Sequence, residues 1–545
     1  MSGTEWWKSG VIYQIYPRSF ADSDGDGVGD LPGITGKLEY LGWLGVDAIW
    51  LSPIFASPMA DFGYDVSGYT EIDPLFGTLG DFEELTDRAR RMGLKVILDF
   101  VPNHTSIEHP WFAESRSSRE SLKRDWYLWA DPAPGGGPPN NWRGITDAGN
   151  EGSAWVWDEG TGQYFLATFS PVQPDLNWRN PEVREEMLGV LRFWLERGAD
   201  GFRIDMIDWL GKDAGLRDEP SLSRETGEDF AVRALYQLNQ PETYEYIRQM
   251  REVVDEYGGV TVGEVAYGLP LQKLVSYYGD GDLLHLPFNF SLITHSLEAA
   301  KLREFVGEYD AALLDAGAWP NYCLGNHDNP RISRHGERRA RLATMLLLTL
   351  RGTPFLYYGD EIGLENVEVP EERSQDPWTD PLTGKGRDPA RTPMQWDAGA
   401  NAGFSDAEPW LPIGPGYGSL NVAAQRDDPG STLSLNRALL GLRRESPALS
   451  VGGYRPLEDA PEGCFAYLRE GTDGGYLVAL NFGDAEVSLG LPGGAAGGNV
   501  AVSTFMDRRS RETGSMSLRP GEGCVVALDE WKGNDSENVE SFGDL

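Results

Sequence analysis

Short apolar runs alternate with longer amphipathic stretches over most of this chain. Eight runs have the length and composition of buried strands, and they begin near residues 11, 46, 95, 201, 260, 283, 321 and 353. The segments between them, such as 81–93 and 181–198, repeat apolar residues at helical spacing. Strands that alternate with helices form parallel sheets, and eight such units favour closure of the sheet into a barrel. The pattern predicts an α/β fold, a (β/α)8 TIM barrel.

Two stretches depart from this alternation. The interval 104–172 is rich in Gly, Pro and Trp, which predicts an inserted subdomain after the third strand. After residue 460, short alternating runs separated by glycines predict an antiparallel β domain, a C-terminal β-sandwich over 461–531. The polar, acidic end, 532–545, predicts a disordered tail. The barrel then occupies 1–103 and 173–460.

Composition narrows the choice of partners. The chain has 47 Lys and Arg against 85 Asp and Glu, a formal net charge of −38, which disfavours nucleic acid and anionic membranes. Its 3 cysteines are far apart, so no disulfide framework is expected, and no apolar run reaches the length of a membrane span. We expect a cytoplasmic protein that acts on a small neutral substrate, as a monomer or a small homo-oligomer.

Polar side chains follow four of the predicted strands. The segments are DFVPNH from Asp99 to His104, RID from Arg203 to Asp205, GE ending at Glu264, and NHD ending at Asp328. Any one of them could be a solvated or capping group. In a (β/α)8 barrel, however, the active site lies at the C-terminal strand ends, so four convergent segments favour catalysis.

Asp205 and Glu264 have the character of a catalytic pair. A retaining glycosidase needs an ionised carboxylate as nucleophile and a protonated carboxyl as acid, about 5–5.5 Å apart, which neighbouring strands can supply. Arg203 lies two residues before Asp205 and on the same strand face, so it can keep that group ionised. The nearby charges of Asp205 and Asp328 are expected to raise the pKa of Glu264. His104 and His327 can donate to sugar hydroxyls, and no HxH or HExxH spacing favours a metal there.

DFVPNH, GFRID, GEV and NHD, in this order, resemble the four signature regions of the α-amylase superfamily, glycoside hydrolase family 13. The resemblance implies that Asp205 is the nucleophile, Glu264 the general acid/base and Asp328 the stabiliser of the transition state. It also implies a −1 subsite, the pocket of the sugar being transferred, which is lined by Asp99, His104, Arg203 and His327.

QPDLNW, DFGYDVSGY, YYGDEIG and GRDPARTPMQW resemble the α-glucosidase and oligo-1,6-glucosidase branch of this family. By this resemblance Asp61 and Arg387 pair to close the −1 pocket, and Tyr64 stacks on the sugar, which implies exo action. Phe169 and Asn329 are placed near the +1 subsite of the leaving group, although simple packing would explain Phe169 equally well.

The segment from Asp22 to Asp30 carries carboxylates at alternate positions around glycines. Oxygen-rich loops of this kind suit hard cations, although a surface turn is the alternative. The resemblance implies a structural Ca²⁺, with Mg²⁺ as a substitute, and no organic cofactor. The expected ligands are Asp22, Asp24, Asp26, Val28 through its carbonyl, and Asp30.

Two positions depart from the pattern of relatives. Ala167 stands where many of them have histidine, and Met206 follows the nucleophile, where Val accompanies α-1,6 and Thr or Ala accompanies α-1,4 preference. Linkage and substrate chain length therefore stay open.

The expected function is a retaining exo-α-glucosidase that releases glucose from the non-reducing end of α-linked di- and oligosaccharides. The alternatives are an oligo-1,6-glucosidase and a transferring or isomerising relative such as trehalose synthase or sucrose isomerase. A non-enzymatic homologue that assists a transporter is disfavoured, because such proteins lose the carboxylates that this chain retains.

Overall fold

The computed structural model of the chain describes residues 5–145, 152–220, 234–378, 386–493, 495–529 and 531. Its central sheet has eight parallel strands, one at each predicted apolar run. They are Ile12–Ile15, Ala48–Leu51, Lys95–Phe100, Gly201–Ile204, Val260–Gly263, Leu286–Pro287, Asn321–Cys323 and Thr353–Tyr357. The predicted barrel class is confirmed.

The strands follow one another around the barrel in chain order, and the first pairs with the eighth, with Gln14 opposite Tyr357. Within the described chain, the sixth and seventh strands share no backbone ladder. The Asn321 side chain joins them instead, donating to Pro287 O at 2.6 Å and accepting from Asn289 N at 3.2 Å. A buried side chain therefore completes the ring of strands.

Burial explains why these runs become strands and the intervening segments helices. Nearly every barrel-strand residue is buried, as expected for parallel strands that are covered on both faces. The helix Leu79–Arg91 buries one face through Phe82 and Leu85, and the Thr78 side chain caps its first turn by accepting from Asp81 N. The α-helices described are Trp6–Ser9, Leu31–Gly36, Leu38–Leu44, Leu79–Arg91, Pro110–Ser117, Pro181–Glu196, Glu242–Glu256, Leu271–Ser276, Ser291–Thr294, Ala299–Asp315, Glu337–Thr349, Val422–Arg426, Thr432–Glu445 and Pro447–Ser450.

Two additions lie above the C-terminal ends of the barrel strands. A hairpin of Phe55–Ala56 and Gly68–Ile72 follows the second barrel strand; the sequence pattern did not indicate it. A three-stranded sheet of Trp129–Ala130, Trp155–Asp158 and Gln163–Leu166 lies within the predicted insert, and a bridge between His104 and Asp175 ties the start of the insert to the segment that follows it. Both additions bring side chains to the barrel mouth.

The C-terminal part of the chain is an antiparallel β domain, as predicted. Six strands form one sheet, Gly453–Pro456, Cys464–Gly471, Gly474–Asn481, Gly523–Leu528, Gly498–Ser503 and Arg511–Glu512 in spatial order, and Val487–Gly490 pairs with Ser515–Leu518 in a second. Apolar residues of both sheets share one core. The first strand of the domain starts before residue 461, the predicted boundary. The domain boundaries stay predictions. The predicted disordered tail, 532–545, lies outside the described residues.

The three cysteines are buried and unpaired. In the part of the chain that the structure describes, no helix combines the length and apolar character needed to cross a bilayer.

Candidate active site

Asp205 and Glu264 lie at the ends of the fourth and fifth barrel strands. Backbone bonds continue the ladder past both strands: Asp205 N donates to Phe100 O, and Glu264 N to Ile204 O, each at 2.8 Å. Ile207 N then donates to Glu264 O at 2.9 Å. The two carboxylates are therefore held by the rigid rim of the barrel rather than by free loops.

Arg203 lies beneath both groups and is almost fully buried. Its Nη1 is 2.8 Å from Asp205 Oδ1 and 2.8 Å from Asp99 Oδ1, and its Nη2 contacts Glu264 Oε2. One guanidinium thus faces three carboxyl groups. The arrangement orients Asp205, as the sequence suggested, but it divides the positive charge among three acids.

Burial raises the pKa of both Asp205 and Glu264, and the charge of Arg203 opposes the shift in each. Asp328 contributes a smaller increase to the pKa of Glu264. Burial, rather than the charges of Asp205 and Asp328 expected from the sequence, is therefore the main cause of the raised pKa of Glu264, and the hydrogen bond with Asp205 lowers this pKa. Burial likewise raises the pKa of Asp99 to about 6. A raised pKa is what general acid catalysis requires of Glu264.

Asp328 follows the seventh strand and has the opposite character. Its Oδ1 lies 3.0 Å from Arg387 Nη1 and 3.0 Å from Arg391 Nη2. Burial opposes its ionisation, but the charges of His327 in its protonated form, of Arg387 and of Arg391 together hold its pKa below the usual range. Asp328 is therefore a carboxylate at any working pH.

Tyr64 and the two histidines form the polar floor of the site. The Tyr64 ring is parallel to His327, with centroids 5.5 Å apart, and its hydroxyl lies 2.7 Å from His327 Nε2 and 3.2 Å from Asp99 Oδ2. Burial lowers the pKa of His104 to about 4 and that of His327 to about 3, so both imidazoles are neutral. His327 thus covers one face of Tyr64; stacking of Tyr64 on a sugar stays a prediction.

Above these residues lies a cavity of about 500 Å³. It is lined by Asp61, Tyr64, His104, Gly144, Ile145, Phe169, Asp205, Met206, Trp209, Glu264, Ala266, Tyr267, Asp328, Asn329, Trp378 and Arg387. The hairpin after the second strand carries Asp61, whose Oδ1 is 3.0 Å from Arg387 Nη2. This ion pair is the one that the sequence predicted, and it narrows one side of the cavity. Asp99, Arg203 and His327 lie beneath the lining.

The other side of the cavity is apolar. Phe169 lies 4.9 Å from the His104 ring and 5.7 Å from the Trp209 ring, and Met206 packs in the same cluster. Met206 has φ of 39°, in the left-handed region that non-glycine residues seldom adopt. Phe169 therefore lines the cavity and also packs between the insert and the barrel. Its place near a +1 subsite stays a prediction.

Beyond the predicted residues, four polar side chains without a predicted role contribute to the site. Asp376 Oδ1 is 2.7 Å from Arg387 Nη2, and Arg391 holds Asp328. Gln173 donates to Asp61 Oδ2 at 3.3 Å, and Tyr267 lines the cavity. Arg391 lies in the motif GRDPARTPMQW and Gln173 in QPDLNW, two of the segments that resemble the α-glucosidase branch. Asp376 lies in an irregular loop, where no periodicity marks it.

Only part of the expected ligand set of the cation loop comes together. Carboxylate oxygens of Asp22, Asp24 and Asp30 lie within 4.8 Å of one another, so they fit a small oxygen-bound cation; Asp26 is not in this group. The Asp26 side chain accepts from Val28 N at 2.7 Å, and Asp30 caps the helix that begins at Leu31.

Comparison with known proteins gives consistent matches. The family model described as "Alpha amylase, catalytic domain" matches residues 14–452. A probable α-glucosidase of Rhizobium meliloti is 42% identical over 90% of this chain and 91% of its own length. An oligo-1,6-glucosidase of Parageobacillus thermoglucosidasius is 38% identical over 96% of this chain and 99% of its own. The crystal structure of the α-glucosyl transfer enzyme XgtA is 40% identical, with a TM-score of 0.89 over 96% of this chain and 100% of its own.

Proposed function

The chain belongs to the α-amylase superfamily, glycoside hydrolase family 13, and we propose that it is a retaining exo-α-glucosidase that releases glucose from small α-glucosides. One observation carries the proposal: Asp205, Glu264 and Asp328 border a single cavity, where Arg203 contacts the first two groups while Arg387 and Arg391 hold Asp328 ionised. A nucleophile, an acid and a charged stabiliser are the groups that retaining hydrolysis needs.

In the first step, we propose that Asp205 attacks the anomeric carbon while Glu264 gives its proton to the leaving oxygen. The Arg203 guanidinium orients the attacking carboxylate. In the second step, Glu264 takes a proton from water while the water oxygen attacks the anomeric carbon and the bond from that carbon to Asp205 breaks, which releases glucose with retention of configuration. Asp328, held ionised by two arginines, accepts hydrogen bonds from ring hydroxyls as positive charge develops on the sugar.

Exo action follows from the pair that narrows the cavity. The Asp61–Arg387 contact would obstruct a chain that extends past the non-reducing end, so one glucose unit fits beyond the cleaved bond. A second candidate is transfer of glucose to an acceptor. It is favoured by the similarity to a glucosyl transfer enzyme and by the apolar wall around Phe169 and Met206, which could shelter the glucosyl intermediate from water.

We further propose a structural Ca²⁺, or Mg²⁺ in its place, at Asp22, Asp24 and Asp30, supported by their converging oxygens. Asp26 and the Val28 carbonyl would complete the ligand set. A cytoplasmic location is proposed on the three buried thiols, which suit a reducing compartment.

The test is an assay of maltose, isomaltose, sucrose and trehalose in parallel, with NMR to follow the anomer first released. We expect α-glucose from maltose, isomaltose or both. Absence of glucose from both would refute hydrolysis of these linkages, and a product disaccharide of unchanged mass would identify an isomerase.

Asp205→Asn and Glu264→Gln should each lower kcat at least about 10³-fold. Asp200→Asn is a matched control, because Asp200 precedes the same strand at the opposite end of the barrel, where its Oδ1 pairs with Lys95 at 2.8 Å. Its kcat should be unchanged. Full activity in either active-site variant would refute the catalytic assignment.

A further inference from the structure

Tyr267 lies three residues after the proposed acid Glu264 and lines the cavity. Its ring stacks on Phe290, with centroids 4.3 Å apart and planes at 10°, so the phenol group is fixed in direction. Neither residue belongs to the motifs discussed above, and the two catalytic steps do not use them.

Two amide groups surround the Tyr267 hydroxyl oxygen. Asn329 Nδ2 lies 2.9 Å from it, and Asn326 Nδ2 lies 3.2 Å from it. The orientation of both amides is determined by their other bonds. Asn326 Oδ1 accepts from Asp328 N at 2.9 Å and from Asn329 Nδ2 at 2.8 Å, so it must be the oxygen.

This orientation decides the direction of the Tyr267 proton. Both amide groups facing the phenol oxygen are NH₂ donors, and together they occupy its two acceptor positions. The Tyr267 O–H must therefore donate elsewhere. Among the described residues, none offers this proton an acceptor within hydrogen-bond distance, and the side chain borders the cavity.

The position of Tyr267 indicates which part of a substrate it meets. The polar groups that close the sugar pocket, Asp61 and Arg387, form one side of the cavity. Tyr267 instead lies three residues after Glu264, whose proton is proposed to go to the leaving oxygen, and it contacts Asn329. The apolar wall around Phe169 provides a surface for a sugar face.

We propose that Tyr267 is a specificity-determining residue, whose O–H donates a hydrogen bond to a hydroxyl oxygen of the leaving sugar or of an acceptor sugar. This inference rests on the proposed function. It predicts that the residue distinguishes sugar leaving groups from leaving groups that lack hydroxyls.

Tyr267→Phe tests the proposal, since it removes the hydroxyl and keeps the ring on Phe290. One neutral hydrogen bond corresponds to a change of about 3- to 10-fold, so we expect kcat/KM for the disaccharide that the wild type cleaves best to fall by about this factor. For p-nitrophenyl α-glucoside, whose leaving group has no sugar hydroxyl, kcat/KM should stay within about 2-fold. Tyr244→Phe is the control, because that hydroxyl bonds Ser276 Oγ at 2.8 Å on the outer helices.

A substrate series makes the test independent of the stability of the variant. The series consists of disaccharides that each lack one hydroxyl of the leaving sugar. For one of them, the wild type should show a lower kcat/KM than for the parent disaccharide, whereas Tyr267→Phe should show the same kcat/KM for both compounds. The acid limb of the pH profile should not move.

Equal loss on the disaccharide and the aryl glucoside, a shifted acid limb, or an unchanged ratio between the substrates would each overturn the proposal. A wild-type enzyme that releases glucose from the aryl glucoside but from no disaccharide would instead refute the proposed function.

Discussion

Replacing Arg387 with alanine removes the cation that joins three carboxylates beside the cavity. Its guanidinium lies 3.0 Å from Asp61, 3.0 Å from Asp328 and 2.7 Å from Asp376, and only 17% of the side chain is exposed. Burial already raises the pKa of Asp61 against the opposing charge of Arg387. Without that charge the pKa of Asp61 rises further, and the carboxyl group takes up a proton at a higher pH.

The magnitude follows from the contacts that remain. Removing one partner of a buried ion pair costs about 3–5 kcal/mol. Arg391 still holds Asp328 at 3.0 Å, so we expect the lower figure for binding of the transition state. About 3 kcal/mol corresponds to a fall of about 10²-fold in kcat/KM. Arg387→Lys keeps the charge but loses the two-pronged contact, and should lose about 10-fold.

The assay is kcat/KM on the preferred disaccharide between pH 5 and pH 8. In Arg387→Ala, activity should decline at a higher pH than in the wild type as the solution is acidified. Arg90→Ala is the control, because Arg90 pairs with Asp87 at 3.1 Å while both side chains are more than half exposed; it should behave as the wild type. An Arg387→Ala enzyme within about 3-fold of the wild type, with the same pH profile, would refute the reasoning.

Three further predictions concern charge and metal. Asp328→Asn should lower kcat at least about 10²-fold with little change in KM, measured by steady-state kinetics, because only the transition state needs its charge; an unchanged kcat would contradict this. Burial raises the pKa of Asp208 to about 7, and its Oδ2 accepts from Ala266 N at 3.0 Å. Ionisation of Asp208 therefore reduces stability as the pH rises from about 4 through 7, and Asp208→Asn should gain in unfolding temperature over the wild type between pH 5 and pH 8; a constant difference would exclude this. EDTA should lower the unfolding temperature by several degrees, Ca²⁺ should restore it, and Asp24→Asn should weaken both responses; a melting curve unaffected by EDTA and Ca²⁺ would argue against the loop as a metal site.

The sequence predicted the barrel well because its strands are buried on both faces and read as apolar runs. The hairpin between residues 55 and 72 was not predicted, since its strands are short and only partly buried, yet it carries Asp61 and Tyr64 to the cavity. The motifs located the carboxylates. They could not reveal Asp376, because its role comes from an ion pair with Arg387 that depends on how an irregular loop folds back.

Glu264 and Asp328 have different proposed roles, proton donor and ionised stabiliser, because they contact different numbers of cations. Burial alone raises the pKa of both carboxyl groups. Asp328 contacts two guanidinium groups, which outweigh burial and keep it ionised. Among the described residues, Arg203 is the one cation paired with Glu264, and it also pairs with Asp99 and Asp205. Three acids around one arginine carry more negative charge than it can neutralise, so a proton stays in the cluster. A second cation placed beside Glu264 would therefore remove the acid on which bond cleavage depends.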